Sequence, residues 1–89
     1  MEIREIEERV DTWGINYHHD TEPSRKSVIL KMSYPADFEI SCEKNQIDIF
    51  CKEKDIQSIK EKEKEIRNLV SGRLWHLLIT DNIKKSLIM

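Results

Sequence analysis

The sequence predicts a single α+β domain: an antiparallel β-meander of three or four strands, packed on one face by an N-terminal helix and a long C-terminal helix. Apolar residues recur with helical spacing near both ends of the chain and alternate with polar residues in the middle. The chain has 89 residues, enough for one hydrophobic core and too few for two domains. Residues 1–89 are therefore treated as one domain.

The N-terminal helix is predicted over residues 2–13, and a short strand over residues 15–19 follows it. The apolar residues of the helix are spaced by three or four and lie on one face: Ile3, Ile6, Val10 and Trp13. Gly14 ends the helix, because a residue without Cβ tolerates the left-handed conformation common at helix C termini.

The clearest local signal is a β-hairpin over residues 37–53 with Lys44 and Asn45 at its tip. Antiparallel pairing around this tip gives three apolar pairs on one face of the sheet: Ile40 with Ile49, Cys42 with Ile47, and Phe38 with Cys51. A shift of one residue would expose the whole apolar set, so the register is strongly specified. Phe50 alone is an apolar residue on the opposite, polar face.

A strand over residues 27–33 extends the hairpin into a meander. Its apolar residues reach the same face only in one register: Val28 opposite Cys42, Leu30 opposite Ile40, and Met32 opposite Phe38. This register predicts a loop of three or five residues, or a bulge, between Ser33 and Asp37.

A single long helix is predicted from Asp55 to about Ile79, with Ser58 as an alternative start. Its apolar residues form one stripe: Ile56, Ile59, Ile66, Leu69, Val70, Leu74, Leu77 and Leu78. The stripe keeps its phase across Gly72. Residues 80–82 are expected to end the helix, and the apolar tail that follows either packs back on the domain or contacts another chain.

The charge balance and the N terminus limit the classes of function that the sequence supports. The 15 basic and 17 acidic residues give a net charge of −2, which does not favour nucleic-acid binding. The N terminus is charged from its second residue, and the longest apolar cluster is far shorter than the ~20 residues that cross a bilayer. We expect a cytoplasmic protein that binds neither nucleic acid nor a membrane.

The segment His18-His19-Asp20 is a candidate metal or ligand site, because imidazole and carboxylate groups bind zinc. Adjacent residues of a strand point to opposite faces, however, so an exposed strand end with no metal is the favoured interpretation. Cys42 and Cys51 are expected to be core residues rather than a disulfide.

No catalytic residue is predicted. His76 has no nucleophile or orienting partner nearby in the sequence, and the chain lacks the motifs of phosphate loops and nucleophile elbows. We expect a non-catalytic protein without a cofactor that binds proteins, most simply as a homodimer. The residues left over once the core is filled are the candidate interface: Phe50, Trp75, Ile83, Leu87 and Ile88.

The order of elements also resembles a known group of proteins. Three segments carry the likeness: Trp13-Gly14-Ile15, residues 33–40, and Arg73-Leu74-Trp75-His76-Leu77-Leu78. Together they resemble the type III secretion chaperone-like domains, including YbjN-type proteins and a related uncharacterised archaeal family. This resemblance implies a chaperone-like or adaptor-like binding role, with dimerisation in some members, and it implies no catalytic residue.

Overall fold

The computed structural model describes the backbone of residues 2–88 and the side chains of residues 2–81. The elements follow in the order α1 (Ile3–Val10), β1 (Gly14–His18), β2 (Val28–Met32), β3 (Phe38–Glu43), β4 (Gln46–Phe50), a 3₁₀ turn (Glu53–Asp55), α2 (Ile56–Lys60) and α3 (Glu63–Ile88). The strands form one sheet in the order β1-β4-β3-β2, with the helices on one face. The predicted α+β class is confirmed.

Strands β2, β3 and β4 form the predicted antiparallel meander. Ile40 pairs with Ile49 and Cys42 with Ile47, which confirms the hairpin register. Met32 pairs with Phe38, so residues 33–37 form the connection of odd length that the pattern requires.

The start of β2 differs from the predicted register. A bulge between Val28 and Leu30 shifts Val28 opposite Ser41 rather than Cys42. The bulge adds one residue to β2, so Val28 moves to the face of the sheet that lies away from the helices.

Strand β1 joins the sheet in parallel orientation, beside β4. Ile15 lies next to Ile47 and Tyr17 next to Ile49, so the apolar side chains of β1 widen the helix-facing surface. The sequence indicates a strand here but not its neighbour, because alternation of polar and apolar residues is the same in parallel and antiparallel pairing. The sheet is therefore mixed rather than wholly antiparallel.

The core lies between the sheet and the helices. Among the residues whose side chains are described, nine buried apolar residues form it and come from α1, β3, β4, α2 and α3: Ile6, Val10, Phe38, Ile40, Ile47, Ile49, Ile59, Ile66 and Val70. Trp13, Leu30 and Met32 are half-buried and pack against this cluster. Ile3, predicted to share the buried face of α1, is 39% exposed because it lies in the first turn, at the edge of the core.

The long helix predicted from Asp55 is broken into α2 and α3 by a turn at Glu61 and Lys62. No Gly or Pro marks this break in the sequence. The predicted end at residues 80–82 is also wrong, since α3 continues to Ile88. Within the helix the Thr80 hydroxyl donates a hydrogen bond to the His76 carbonyl at 2.9 Å, the i−4 contact that a threonine inside a helix can make.

Helix α3 is longer than the sheet that it covers. Its 26 residues span roughly 39 Å, whereas strands of five or six residues span about 17–20 Å. The radius of gyration is 14.0 Å and the longest dimension 48 Å, compared with about 12 Å expected for the radius of gyration of a compact chain of this length. The C-terminal part of α3 therefore projects beyond the sheet.

Two arginines of α3 attach this helix to other elements. Arg67 donates from Nη1 to the carbonyl oxygens of Val10 and Trp13, each at 2.8 Å, and so satisfies carbonyls at the C-terminal end of α1. Arg73 donates from Nε to the carbonyl of Ile29, the bulged residue of β2, at 2.9 Å. A positive charge at the C terminus of α1 also complements the helix dipole.

Replacing Arg67 tests this attachment. Arg67→Met should lower the free energy of unfolding by about 2–3 kcal/mol, because two hydrogen bonds from a charged donor are lost. The measurement is urea denaturation followed by circular dichroism. Arg4→Met, at an exposed position of α1, is the control and should change stability by less than about 0.5 kcal/mol; equal effects of the two variants would contradict the proposed role of Arg67.

The tip of the hairpin offers a second test. Lys44 and Asn45 have φ angles of 52° and 61°, the left-handed conformations of a tight hairpin turn. Asn tolerates this conformation better than Lys, so Lys44→Asn should stabilise the domain by roughly 0.5–1 kcal/mol, measured by thermal denaturation. Lys44→Gln, which removes the same charge without the left-handed preference of Asn, is the control and should give no such gain.

Candidate functional site

Two surfaces of the domain are candidates for a functional site. The first is the outer face of the sheet, which lies away from the helices. The strand registers align its side chains in two rows, the first formed by His18, Phe50, Glu39 and Lys31, and the second by Asn16, Asp48, Ser41 and Val28. The second surface is the side of α3 that faces away from the core.

The outer face is organised around His18. Its Nε2 atom lies 3.0 Å from Oδ1 of Asp48, and its ring stacks on Phe50 with a centroid distance of 4.6 Å and an interplanar angle of 16°. Phe50 lies on the outer face, as predicted, but it is half-buried because the imidazole ring covers part of it. Phe50 is therefore a weaker interface candidate than its sequence position suggests.

The histidine pair does not converge on one site. His18 pairs with Asp48, whereas Nδ1 of His19 lies 3.0 Å from Oδ1 of Asp20. The part of the chain that the structure describes contains no group of three His, Cys, Asp or Glu side chains arranged to hold a metal ion. His19 lies just past the end of β1, and each imidazole is paired with a different carboxylate.

The connection from β1 to β2, residues 19–27, runs between opposite edges of the sheet and crosses the outer face, since its residues lie beside outer-face side chains of β2 and β3. Side chains of the connection and of the sheet line a shallow cleft of about 280 Å³: Glu22, Pro23, Arg25, Val28, Lys31 and Glu39. The crossing explains why Ser41 is only 4% exposed. Opposite charges alternate around the cleft, so it has no clear preference for an anion or a cation.

The two cysteines are free thiols on the helix-facing side of the hairpin, where both are half-buried. Burial raises the pKa of Cys42 to about 11, and the charge of Asp48 contributes in the same direction. Burial also raises the pKa of Cys51. Both thiols are therefore protonated at neutral pH, a poor state for a nucleophile.

Tyr17 connects β1 to the start of α3. Its hydroxyl donates to Oε2 of Glu63 at 2.6 Å, and the Lys60 ammonium lies 5.5 Å from its ring centroid. Burial, and then the hydrogen bond to Glu63, raise the pKa of Tyr17 above its ordinary value. This contact holds the N terminus of α3 beside the edge strand and involves no reactive group.

The raised pKa of Cys42 predicts a loss of stability at alkaline pH. Above pH 9 the unfolded thiol releases its proton while the folded thiol keeps it, so stability is fully present below pH 9 and falls up to about pH 11. Urea denaturation at several pH values should therefore show a smaller decline for Cys42→Ala than for the unmodified protein. The decline that remains is assigned to Tyr17 and Cys51, and equal declines in both proteins would contradict the prediction.

The other predicted interface residues lie on α3. Trp75 is half-buried and packs against the core, so only part of its ring is free to contact a partner. The backbone of Ile83, Leu87 and Ile88 is helical, and their side chains lie outside the described residues.

The apolar stripe predicted for the C-terminal helix is buried or half-buried except at Leu69, which lies on a second side of α3. One side is buried on the sheet through Ile66 and Val70. The other side carries Leu69, Gly72, His76 and Ile79, spaced by three, four and three, which we call the α3 outer stripe. Leu69 was predicted to face the core but is 44% exposed, because it lies about 60° from Ile66 on the helix, on the side away from Val70.

Gly72 marks the middle of the α3 outer stripe. A glycine inside a helix costs roughly 1 kcal/mol relative to alanine. Nothing lies within 4 Å of the position that a Cβ would occupy at Gly72, so no neighbour in the described structure requires the missing side chain. The spacing from Leu69 to Ile79 could have revealed this stripe in the sequence, but the stronger core signal at Ile66 and Val70 masks it.

Comparison of the chain with protein-family models, with curated proteins and with solved structures finds no significant match. The resemblance to type III secretion chaperone-like domains therefore stays a prediction. Within residues 2–88, no helix is both long enough and apolar enough to cross a lipid bilayer.

Proposed function

We propose that this chain is a non-catalytic, cytoplasmic protein-binding module of the chaperone or adaptor type, that it acts as a dimer, and that its partner docks on the α3 outer stripe. The observation that carries the proposal is the second apolar side of α3. Leu69 is 44% exposed, and Ile79 is half-buried without contributing to the core. Leu69 and Ile79 are aligned on one side of the helix, and apolar surface left uncovered there is available to another protein.

The form of the stripe favours a helix as the partner element. The stripe is straight, follows the helical period and contains Gly72, where the backbone is open to close approach. A partner helix packed there would cover Leu69 and Ile79 on either side of the glycine. The apolar period continues beyond Ile79 at Ile83 in the sequence, which lengthens the stripe toward the end of the chain.

The polar groups support a binding role rather than catalysis. His18 is paired with Asp48, and the serine of the outer face, Ser41, lies beside Asp48 rather than beside the imidazole. The two thiols are protonated at neutral pH. Neither Ser41 nor the two thiols therefore form a pair of nucleophile and activating base with His18.

A charge placed in the stripe tests the proposal. Leu69→Asp should abolish partner binding without unfolding the domain, because Leu69 contributes little to the core. Partners are first identified by cross-linking in the native host, and binding is then measured with the purified partner by calorimetry. Gln57→Asp, at an exposed position of α2, adds the same charge away from the stripe and should leave the affinity unchanged.

Two further variants separate binding from stability. Gly72→Ala should raise the melting temperature, because alanine favours the helix, and yet weaken binding by obstructing the close approach. Truncation after Asn82 should weaken binding by removing the apolar end of the chain. Unchanged affinity in Leu69→Asp and in the truncated chain would contradict the proposed surface.

A further inference from the structure

The two edges of the sheet differ in how they are protected. Edge strand β2 contains a bulge, carries the exposed Lys31, and has the carbonyl of its bulged residue, Ile29, bound by Arg73. Bulges, edge lysines and covering elements are the features by which proteins prevent an edge strand from pairing with another chain. The β2 edge is therefore closed to a further strand.

Edge strand β1 has none of these features. Its five residues, Gly14–His18, contain no proline, lysine or bulge, and it packs mainly against β4. The strand contains no Asp, Glu, Lys or Arg whose charge would repel another strand. An open edge of this kind offers its backbone for pairing.

The hydrogen bonds between β1 and β4 show which way the backbone N–H and C=O groups of β1 point. The carbonyl of His18 accepts a hydrogen bond from the Cys51 amide at 3.0 Å, so His18 faces β4, and Asn16 does so by the alternation of the strand. Ile15 and Tyr17 therefore direct their N–H and C=O groups away from the sheet. Within the described residues these groups have no hydrogen-bond partner in the protein.

We infer that the β1 edge binds a second copy of this chain, with the two β1 strands antiparallel and Asn16 on the twofold axis. In this register Ile15 of each copy lies opposite Tyr17 of the other, and each of the two pairs exchanges two backbone hydrogen bonds. All the outward-facing N–H and C=O groups of β1 are then satisfied. The two sheets become one continuous sheet of eight strands.

Side chains around the axis fit a second copy. Ile15 and Tyr17 form an aliphatic and aromatic cross-strand pair on the helix-facing side, and Asn16 meets its equivalent on the outer side. At the two ends of the paired strands, Gly14 of one copy lies opposite His18 of the other. No two like charges face each other across the axis, and the contact closes as a symmetric dimer.

The inference deepens the proposed function, since it assigns the dimer interface and leaves the α3 outer stripe free for the partner. The proposed dimer interface and the proposed partner site can therefore be tested separately. Leu69→Asp changes partner binding without changing the mass of the dimer, whereas a change at Asn16 alters the mass.

The test places a charge on the axis. Asn16→Asp and Asn16→Lys each put two like charges directly opposite each other, and each should raise the dimer dissociation constant at least about tenfold. Light scattering coupled to size exclusion measures the mass over a range of concentrations at low salt. An equimolar mixture of the two variants should restore the dimer, because opposite charges then meet.

Gln46→Glu is the matched control. Gln46 lies on the neighbouring strand, and its Oε1 accepts a hydrogen bond from Nδ2 of Asn16 at 3.2 Å. The control adds a negative charge close to the axis but off the edge, and it should remain dimeric. In the unmodified protein, hydrogen exchange at the amides of Ile15 and Tyr17 should slow as concentration rises.

If the unmodified protein is a monomer at every concentration, the inference is wrong, even if an unrelated peptide binds the β1 edge. Dimers of Asn16→Asp and Asn16→Lys as stable as that of the unmodified protein would also overturn it. A mixture that stays monomeric would rule out Asn16 as the residue on the axis.

Discussion

The fold depends on the packing of α3 against the centre of the sheet. Ile66 and Val70 of the helix are buried with Ile40, Ile47 and Ile49 of β3 and β4, and all five are at most 2% exposed. Complete burial of side chains of this size contributes about 1.5–3 kcal/mol each. Because β3 and β4 are the inner strands, every other element is placed by its contact with this cluster or with its neighbours.

Polar contacts then set the positions of the elements around this cluster. Arg67 binds carbonyls at the end of α1, Arg73 binds the bulge of β2, and Tyr17 of β1 reaches Glu63 at the start of α3. These contacts are directional, whereas apolar packing is not. Helix α3 is therefore the element to which both edges of the sheet and the first helix are joined.

The same helix has a second use, because its length exceeds what the core requires. One side of α3 is buried against the sheet, while the α3 outer stripe and the projecting C-terminal part remain available for a partner. The outer face of the sheet is less available. The connection between β1 and β2 crosses it, and His18 covers part of Phe50. The sequence led us to expect binding through the outer sheet face or the C-terminal tail, whereas the proposed surfaces are now the α3 outer stripe and the β1 edge.

The sequence predicts correctly those features of the fold that depend on local interactions. Alternation of apolar and polar residues, together with the tip at Lys44 and Asn45, determined the hairpin register and the odd length of the connection before it. Both signals depend on neighbouring residues and on a turn of fixed geometry. The position of Phe50 on the outer face follows from the same alternation.

Features that depend on distant contacts were decided by the tertiary structure. The parallel pairing of β1 with β4, the pairing of His18 with Asp48 and the exposure of Leu69 join or separate residues far apart in the chain. No Gly or Pro in the sequence marks the turn between α2 and α3. A helical period shows that a side is apolar but not which of two apolar sides meets the sheet, because only the packing of the assembled core distinguishes them.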